Sequence, residues 1–143
     1  MDEQTVQLLQ DITENAEMGK GSVQHLLQVT DNPSLRHHLQ KQLNTYDDLL
    51  RRAKAMLAVE GAMPKEQSPM TKAWVSMGIH MKTMADHSPR NLAEMLIEGN
   101  HMGATDMVKA MRDAHGANDG ARALAQRLHD AEEQYAQELT TFL

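Results

Sequence analysis

The sequence predicts an all-α bundle of four long helices, with one shorter helix between the second and third. Three observations predict it. Capping side chains stand directly before prolines at Asn32-Pro33, Ser68-Pro69 and Ser88-Pro89, which is how a helix opens with an accepted N–H bond and a preset φ. Apolar residues recur at the helical period over long stretches. No alternating Val/Ile/Thr run, and no hairpin turn between two such runs, signals a strand.

These signals divide the chain into helix 1 (3–29), helix 2 (33–60), helix 3a (69–86), helix 3b (89–115) and helix 4 (118–142), in one domain spanning 1–143. Gly61 and Gly116 sit where helices 2 and 3b should end, since glycine tolerates the left-handed conformation of a helix C-terminus. The four long helices are each about 40 Å at a 1.5 Å rise per residue. Helix 3a and the loop 61–68 are long enough to return the chain to the opposite end, making helices 2 and 3b parallel. A plain up-down-up-down bundle capped by 3a is the competing arrangement. No internal repeat is apparent.

On a helical wheel, helix 1 presents Leu8, Leu9, Ile12, Ala16, Gly19, Val23, Leu26 and Leu27 on one stripe. Helix 2 presents Leu35, Leu39, Leu43, Tyr46, Leu49, Leu50, Ala53, Met56 and Leu57, with Gln42 among them. Helix 3a carries Met70, Ala73, Trp74, Met77, Met81, Met84 and Ala85. Helix 4 presents Ala121, Leu124, Ala125, Leu128, Tyr135, Leu139 and Phe142, with Glu132 on the same face. Helix 3b is wider: Leu92, Met95, Leu96, Ile97, Gly99, Met102, Gly103, Ala104, Met107, Val108, Ala110 and Met111 cover more than half its circumference. A helix of that kind is expected to be covered on two sides, by the bundle and by 3a or a second subunit. Val75 and Ile79 of 3a lie opposite that helix's main stripe.

Composition narrows the function. The chain has 14 Lys and Arg against 20 Asp and Glu, a formal charge of -6, and no basic run, which argues against nucleic acid as a partner. No apolar run approaches the roughly 18 residues of a membrane span, and MDEQTVQLLQ is a poor secretory signal, so a cytoplasmic location is expected. With no cysteine there is no disulfide, thiol nucleophile or thiolate metal site. Twelve methionines against four aromatics make a methionine-rich chain suited to close helix packing.

Three constellations carry possible chemistry. Glu98-x-x-His101, in LIEGNHMG, has the spacing with which bundle metalloproteins bring a carboxylate and an imidazole into their core. On the wheel, however, both fall with Glu94, Thr105, Lys109 and Arg112 on the polar side. In MGIHMKTMADH, Met77, His80, Met81, Met84 and His87 share one side of 3a, and thioether with imidazole suits Cu(I); the same methionines also complete that helix's only apolar stripe. The third constellation is buried polarity. Tyr46, Asn100, Asp106 and Glu132 all fall on apolar faces, Tyr46, Asn100 and Glu132 at similar depth. A hydrogen-bonded cluster that fixes helix register is the expected reading, and the floor of a small-ligand pocket is the alternative.

The segment SPRNLAEMLIEGNHMGATDMVKAM resembles a corresponding helix in small bacterial helical-bundle proteins, and the architecture resembles the ferritin-like superfamily. The resemblance implies a four-helix bundle with one long crossover, often oligomeric and often metal-binding. The chain departs from it at the ligands. His37 and His38 have no matching Glu, helix 4 offers Gln126-x-x-His129, and helix 1 has no inward acid. No functional residue carries over by motif, so no cofactor is expected. The function expected is non-enzymatic, a structural or interaction role as a homo-oligomer, with a dimer favoured and a further protein partner left open. A ferritin-like protein binding iron, manganese or copper is the alternative.

Overall fold

A computed structural model describes residues 2–65 and 86–143. It contains α1 (Glu3–Val29), α2 (Pro33–Val59), α3 (Pro89–Asp113) and α4 (Asp119–Leu139), the last tightening into a 3-10 turn at Thr140–Phe142. Among the described residues there is no strand. Helix 3a lies outside the described residues except for Asp86. The terminal helix that the sequence predicts as far as 142 stops being α-helical at Leu139.

Each helix begins at a side-chain cap. Asp2 accepts from the Thr5 N–H, Asn32 from Leu35, Ser88 from Asn91 and Asn118 from Ala121, at 2.9–3.2 Å. These bonds satisfy donors that a helix start otherwise leaves orphaned. At the end of α2, Gly61 adopts φ 70°. It donates to Ala58 O at 3.0 Å while Ala62 donates to Leu57 O at 2.9 Å, the paired bonds of a Schellman stop.

α1 packs along α2 and α3 along α4; the two hairpins then meet through α1 against α3 and α4, and through α2 against α4. The first turn of α1 marks one end of the bundle. There the Asp2 N–H faces Glu60 at 3.4 Å, the Gly116 N–H donates to Gln4, and the Asn118 N–H donates to Thr5 Oγ1 at 2.8 Å. α2 and α3 therefore both finish where α1 begins.

The two hairpins are built in the same register, although their sequences show no repeat. Buried Leu8, Leu9, Ile12, Val23 and Leu26 of α1 recur at one constant spacing as Leu92, Ala93, Leu96, Met107 and Ala110 of α3. Leu35, Leu39, Gln42, Tyr46 and Ala53 of α2 recur likewise as Ala121, Ala125, Leu128, Glu132 and Leu139 of α4. The turns match as well. Asn32 and Asn118 are the two caps. Arg36 reaches back to the carbonyls of Leu27 and Thr30 at 2.5 and 3.1 Å, and Arg122 to those of Met111, Ala114 and His115 at 3.1–3.5 Å. A cation there neutralises the negative end of the preceding helix.

One continuous core of Leu, Ala, Val and Ile runs between the hairpins, with Met107 its only fully buried methionine among the described residues. The apolar arc expected of helix 3b is narrower in α3. Met102 is 66 % exposed and Gly99 is exposed, while Ile97 and Val108 are half-buried. Among the described residues, no helix is long and apolar enough to cross a membrane.

If the hairpin turns are equivalent, their caps should be too. Asn32→Ala and Asn118→Ala are each expected to lower stability by about 1 kcal/mol, measured by urea denaturation. A cost confined to one of them would break the equivalence.

Candidate functional site

At mid-height a run of polar side chains crosses an otherwise apolar core. Gln42 lies on the inward stripe of α2, with Tyr46 one turn later and His38 one turn earlier; Asn100 comes from α3 and Glu132 from α4. All five are at most 6 % exposed. Gln42 and Asn100 pair by reciprocal amide bonds, Gln42 Nε2 donating to Asn100 Oδ1 at 3.2 Å and Asn100 Nδ2 to Gln42 Oε1 at 3.1 Å. The second N–H of Gln42 points to His38 Nε2 at 2.9 Å. An amide nitrogen only donates, so His38 Nε2 accepts and the imidazole carries its proton on Nδ1. The second N–H of Asn100 reaches the Tyr46 hydroxyl at 3.4 Å, which donates to Glu132 Oε2 at 3.0 Å. Donation thus runs outward from the amide pair in both directions, to His38 at one end and Glu132 at the other.

Two glycines make room for this layer. Tyr46 lies against Gly19 of α1, and the Glu132 carboxyl lies against Gly103 of α3; a β-carbon at either glycine would overlap its neighbour. These are equivalent seats in the two hairpins, one holding a phenol ring and the other a carboxyl. Beside the second seat, Asn15 Nδ2 donates to the Gly103 carbonyl at 2.9 Å.

The electrostatics follow from burial. Desolvation raises the Glu132 pKa to about 8, helped by Asp106 and Glu133, against the opposing pull of the Tyr46 hydroxyl and the Asn15 amide. Its second oxygen, Oε1, is buried without a hydrogen-bond partner, which makes ionisation costly. Burial, and then the adjacent Glu132, push the Tyr46 phenol well above 10, so it remains a neutral donor. Burial lowers the pKa of His38, in keeping with its neutral, accepting role.

The structure brings together Tyr46, Asn100 and Glu132 and leaves Asp106 out. Asp106 is exposed, a correction to its expected inward position. The buried stripe of α3 follows Leu92, Leu96, Asn100, Ala104 and Met107, and Asp106 sits on the flank towards α1, near Asp11. Gln42, His38 and Asn15 were not expected in the cluster. Gln42 alone carried a signal, a polar residue on the apolar stripe of its helix.

Glu98 and His101 are exposed, and His101 Nδ1 lies 3.4 Å from Glu133 Oε1 on α4. Met77, His80, Met81 and Met84 lie outside the described residues, while His87 is exposed. Among the described residues, no three His, Asp or Glu side chains group as a metal site. A shallow groove of about 440 Å³ lies at the end of α3, lined by Val108, Met111, Arg112, His115, Arg122 and Gln126, its Arg122 engaged with helix carbonyls.

Two outcomes test the layer. The folded pKa of Glu132, about 8, exceeds its ordinary value of 4.5. The native state therefore holds the proton more tightly, and stability is fully present below pH 4.5 and lost as pH rises to 8. At about 1.4 kcal/mol per unit this loss is on the order of 4–5 kcal/mol. Glu132→Gln is expected to flatten it, and urea melts from pH 5 to 9 read the slope. Gly103→Ala should cost about 1–3 kcal/mol through overpacking. Gly99→Ala, with nothing within 4 Å, should stabilise the helix by about 0.5–1 kcal/mol. Equal effects at the two glycines would show that the carboxyl is not seated on Gly103.

Comparison of the chain with protein-family models, with curated proteins and with solved structures finds no match.

Proposed function

We propose that the chain is a ferritin-like four-helix bundle acting as a non-enzymatic structural or interaction protein, a cytoplasmic homo-oligomer and most simply a dimer. The ends of the helices support the crossover. The chain leaving α2 runs beside α1, where Gln10 donates to Met63 O at 3.0 Å and Lys65 pairs with Glu14 at 3.2 Å. α3 ends beside the start of α1 and so starts at the far end of the bundle, an arrangement that supports a crossover between the hairpins.

One observation carries the functional reading: the polar side chains at the heart of the bundle bond to one another across three helices. Groups used in this way set register and are not presented to a substrate, which leaves the protein's work to its surface. The half-buried Ile97 and Val108 of α3 supply apolar area to a self-association face. Metal binding is the second reading, and the buried Oε1 of Glu132 favours it, as an oxygen without a hydrogen-bond donor that a cation would satisfy.

Light scattering of the purified chain should give the mass of a dimer, and a monomer at high micromolar concentration would remove the oligomer reading. Elemental analysis of protein prepared without added chelator separates the two readings. Stoichiometric iron, manganese or copper would favour the second.

A further inference from the structure

The α2–α4 face carries a concentration of arginines. Asp48 receives three guanidinium groups: Arg51 Nη2 on Oδ1 at 2.6 Å, Arg52 Nε on Oδ2 at 3.1 Å and Arg127 Nη2 on Oδ2 at 3.5 Å. The first two come from α2 and the third from α4, so both helices define the cluster. Asp48 is the sheltered member, with 24 % of its side chain exposed, against 53 % or more for each arginine. The neighbouring Asp47 is held by Lys20 at 2.9 Å, and Asp130 of α4 accepts from Gln126 and His129. Three cations on one carboxylate leave two positive charges in excess, on a chain whose net charge is -6.

We infer that this cluster is a binding site for a phosphate-bearing ligand. One carboxylate cannot satisfy fifteen guanidinium N–H groups, five on each arginine; it anchors one nitrogen of each, and the three side chains remain 53–76 % exposed. An ion pair at a surface contributes little to stability, so a three-to-one excess is poorly explained as a fold-stabilising contact. Planar guanidinium forks match the oxygen spacing of phosphate and hold it by paired, charge-assisted bonds. Asp48 pre-organises them by holding Arg52 and Arg127, from different helices, on the same oxygen. The site involves neither the buried layer nor the self-association face, so it stands or falls separately from the proposed function.

Calorimetric titration of the full chain with pyrophosphate is the test. The expected result is one site per chain at about 150 mM salt, an ionic strength that screens non-specific attraction. Arg52→Gln and Arg127→Gln should each weaken binding about tenfold. Arg90→Gln removes an arginine of α3 that pairs with Glu94 at 3.6 Å, and it should leave binding unchanged. No binding at that salt would overturn the proposal, as would binding that survives in the Arg52→Gln, Arg127→Gln double variant or falls equally in Arg90→Gln. Sedimentation with phosphatidate vesicles distinguishes the source of the phosphate. Sedimentation abolished by the same variants marks a lipid headgroup, and pyrophosphate binding without sedimentation marks a free ligand; either result supports the site.

Discussion

The reciprocal amide pair between Gln42 and Asn100 is the constraint on which the rest of the core depends. α2 and α3 share little backbone contact, since each packs chiefly on its own hairpin partner, so side chains must hold them in register. Apolar side chains do this poorly, because a Leu-on-Leu contact survives a slip of one turn at small cost. A buried amide does not. Sliding α3 along α2 would strip three donors and two carbonyl oxygens of their partners, each loss on the order of 1–3 kcal/mol. The pair also fixes its neighbours. Because Gln42 and Asn100 each have one N–H left over, His38 and Tyr46 must present acceptors, and Tyr46 then has a proton to give only to Glu132. The hydrogen-bond direction of the whole layer follows from one pairing.

The same layer is where the two otherwise matched hairpins diverge. Gly19 and Gly103 are equivalent seats, as are the positions of Tyr46 and Glu132 that fill them. Two tyrosines would place two phenols at the centre, and two glutamates would place two desolvated carboxyls there. The mixed pair lets the longer side chain reach across to the shorter and donate to it at 3.0 Å. Asymmetry in a matched architecture is thus what makes a buried carboxyl tolerable. It does so incompletely: Oε1 stays without a partner, and the carboxyl stays protonated near neutral pH.

Much of this was legible in the sequence where the physics is local. Asn32-Pro33 and Ser88-Pro89 give the starts of α2 and α3, and Gly61 the stop of α2, because a cap needs only its own few residues. Tyr46, Asn100 and Glu132 were legible because a helical wheel separates faces well near the middle of a long helix. Asp106 was misread for the complementary reason: it lies on the edge of the α3 stripe, where the neighbouring helix decides burial and the wheel cannot. The role of Gln42 was hidden because a hydrogen-bond partner on another helix leaves no mark on the local pattern, and that of His38 because it depends on where Gln42 is held. Gly19 and Gly103 were visible as small residues, but what each would seat depends on the angle at which the hairpins cross. The equivalence of the hairpins escaped notice because it survives in burial and caps while residue identity has diverged, as at Leu9 with Ala93 and Tyr46 with Glu132.

The two ends of the buried layer also set opposite limits on pH. His38 must be neutral to accept from Gln42. Burial lowers its pKa, so the native state resists protonating it, and its contribution to stability is lost as pH falls below the ordinary imidazole range. Glu132 must be protonated to remain uncharged, and it loses that proton as pH rises to about 8. Between these limits every member from His38 to Glu132 is neutral, and each hydrogen bond joins an uncharged donor to an uncharged acceptor. A charge at either end would fall on a side chain at most 6 % exposed, with no ion of opposite sign among the members of the layer to compensate it. The interval in which this layer is neutral is therefore the interval in which its burial costs the fold least.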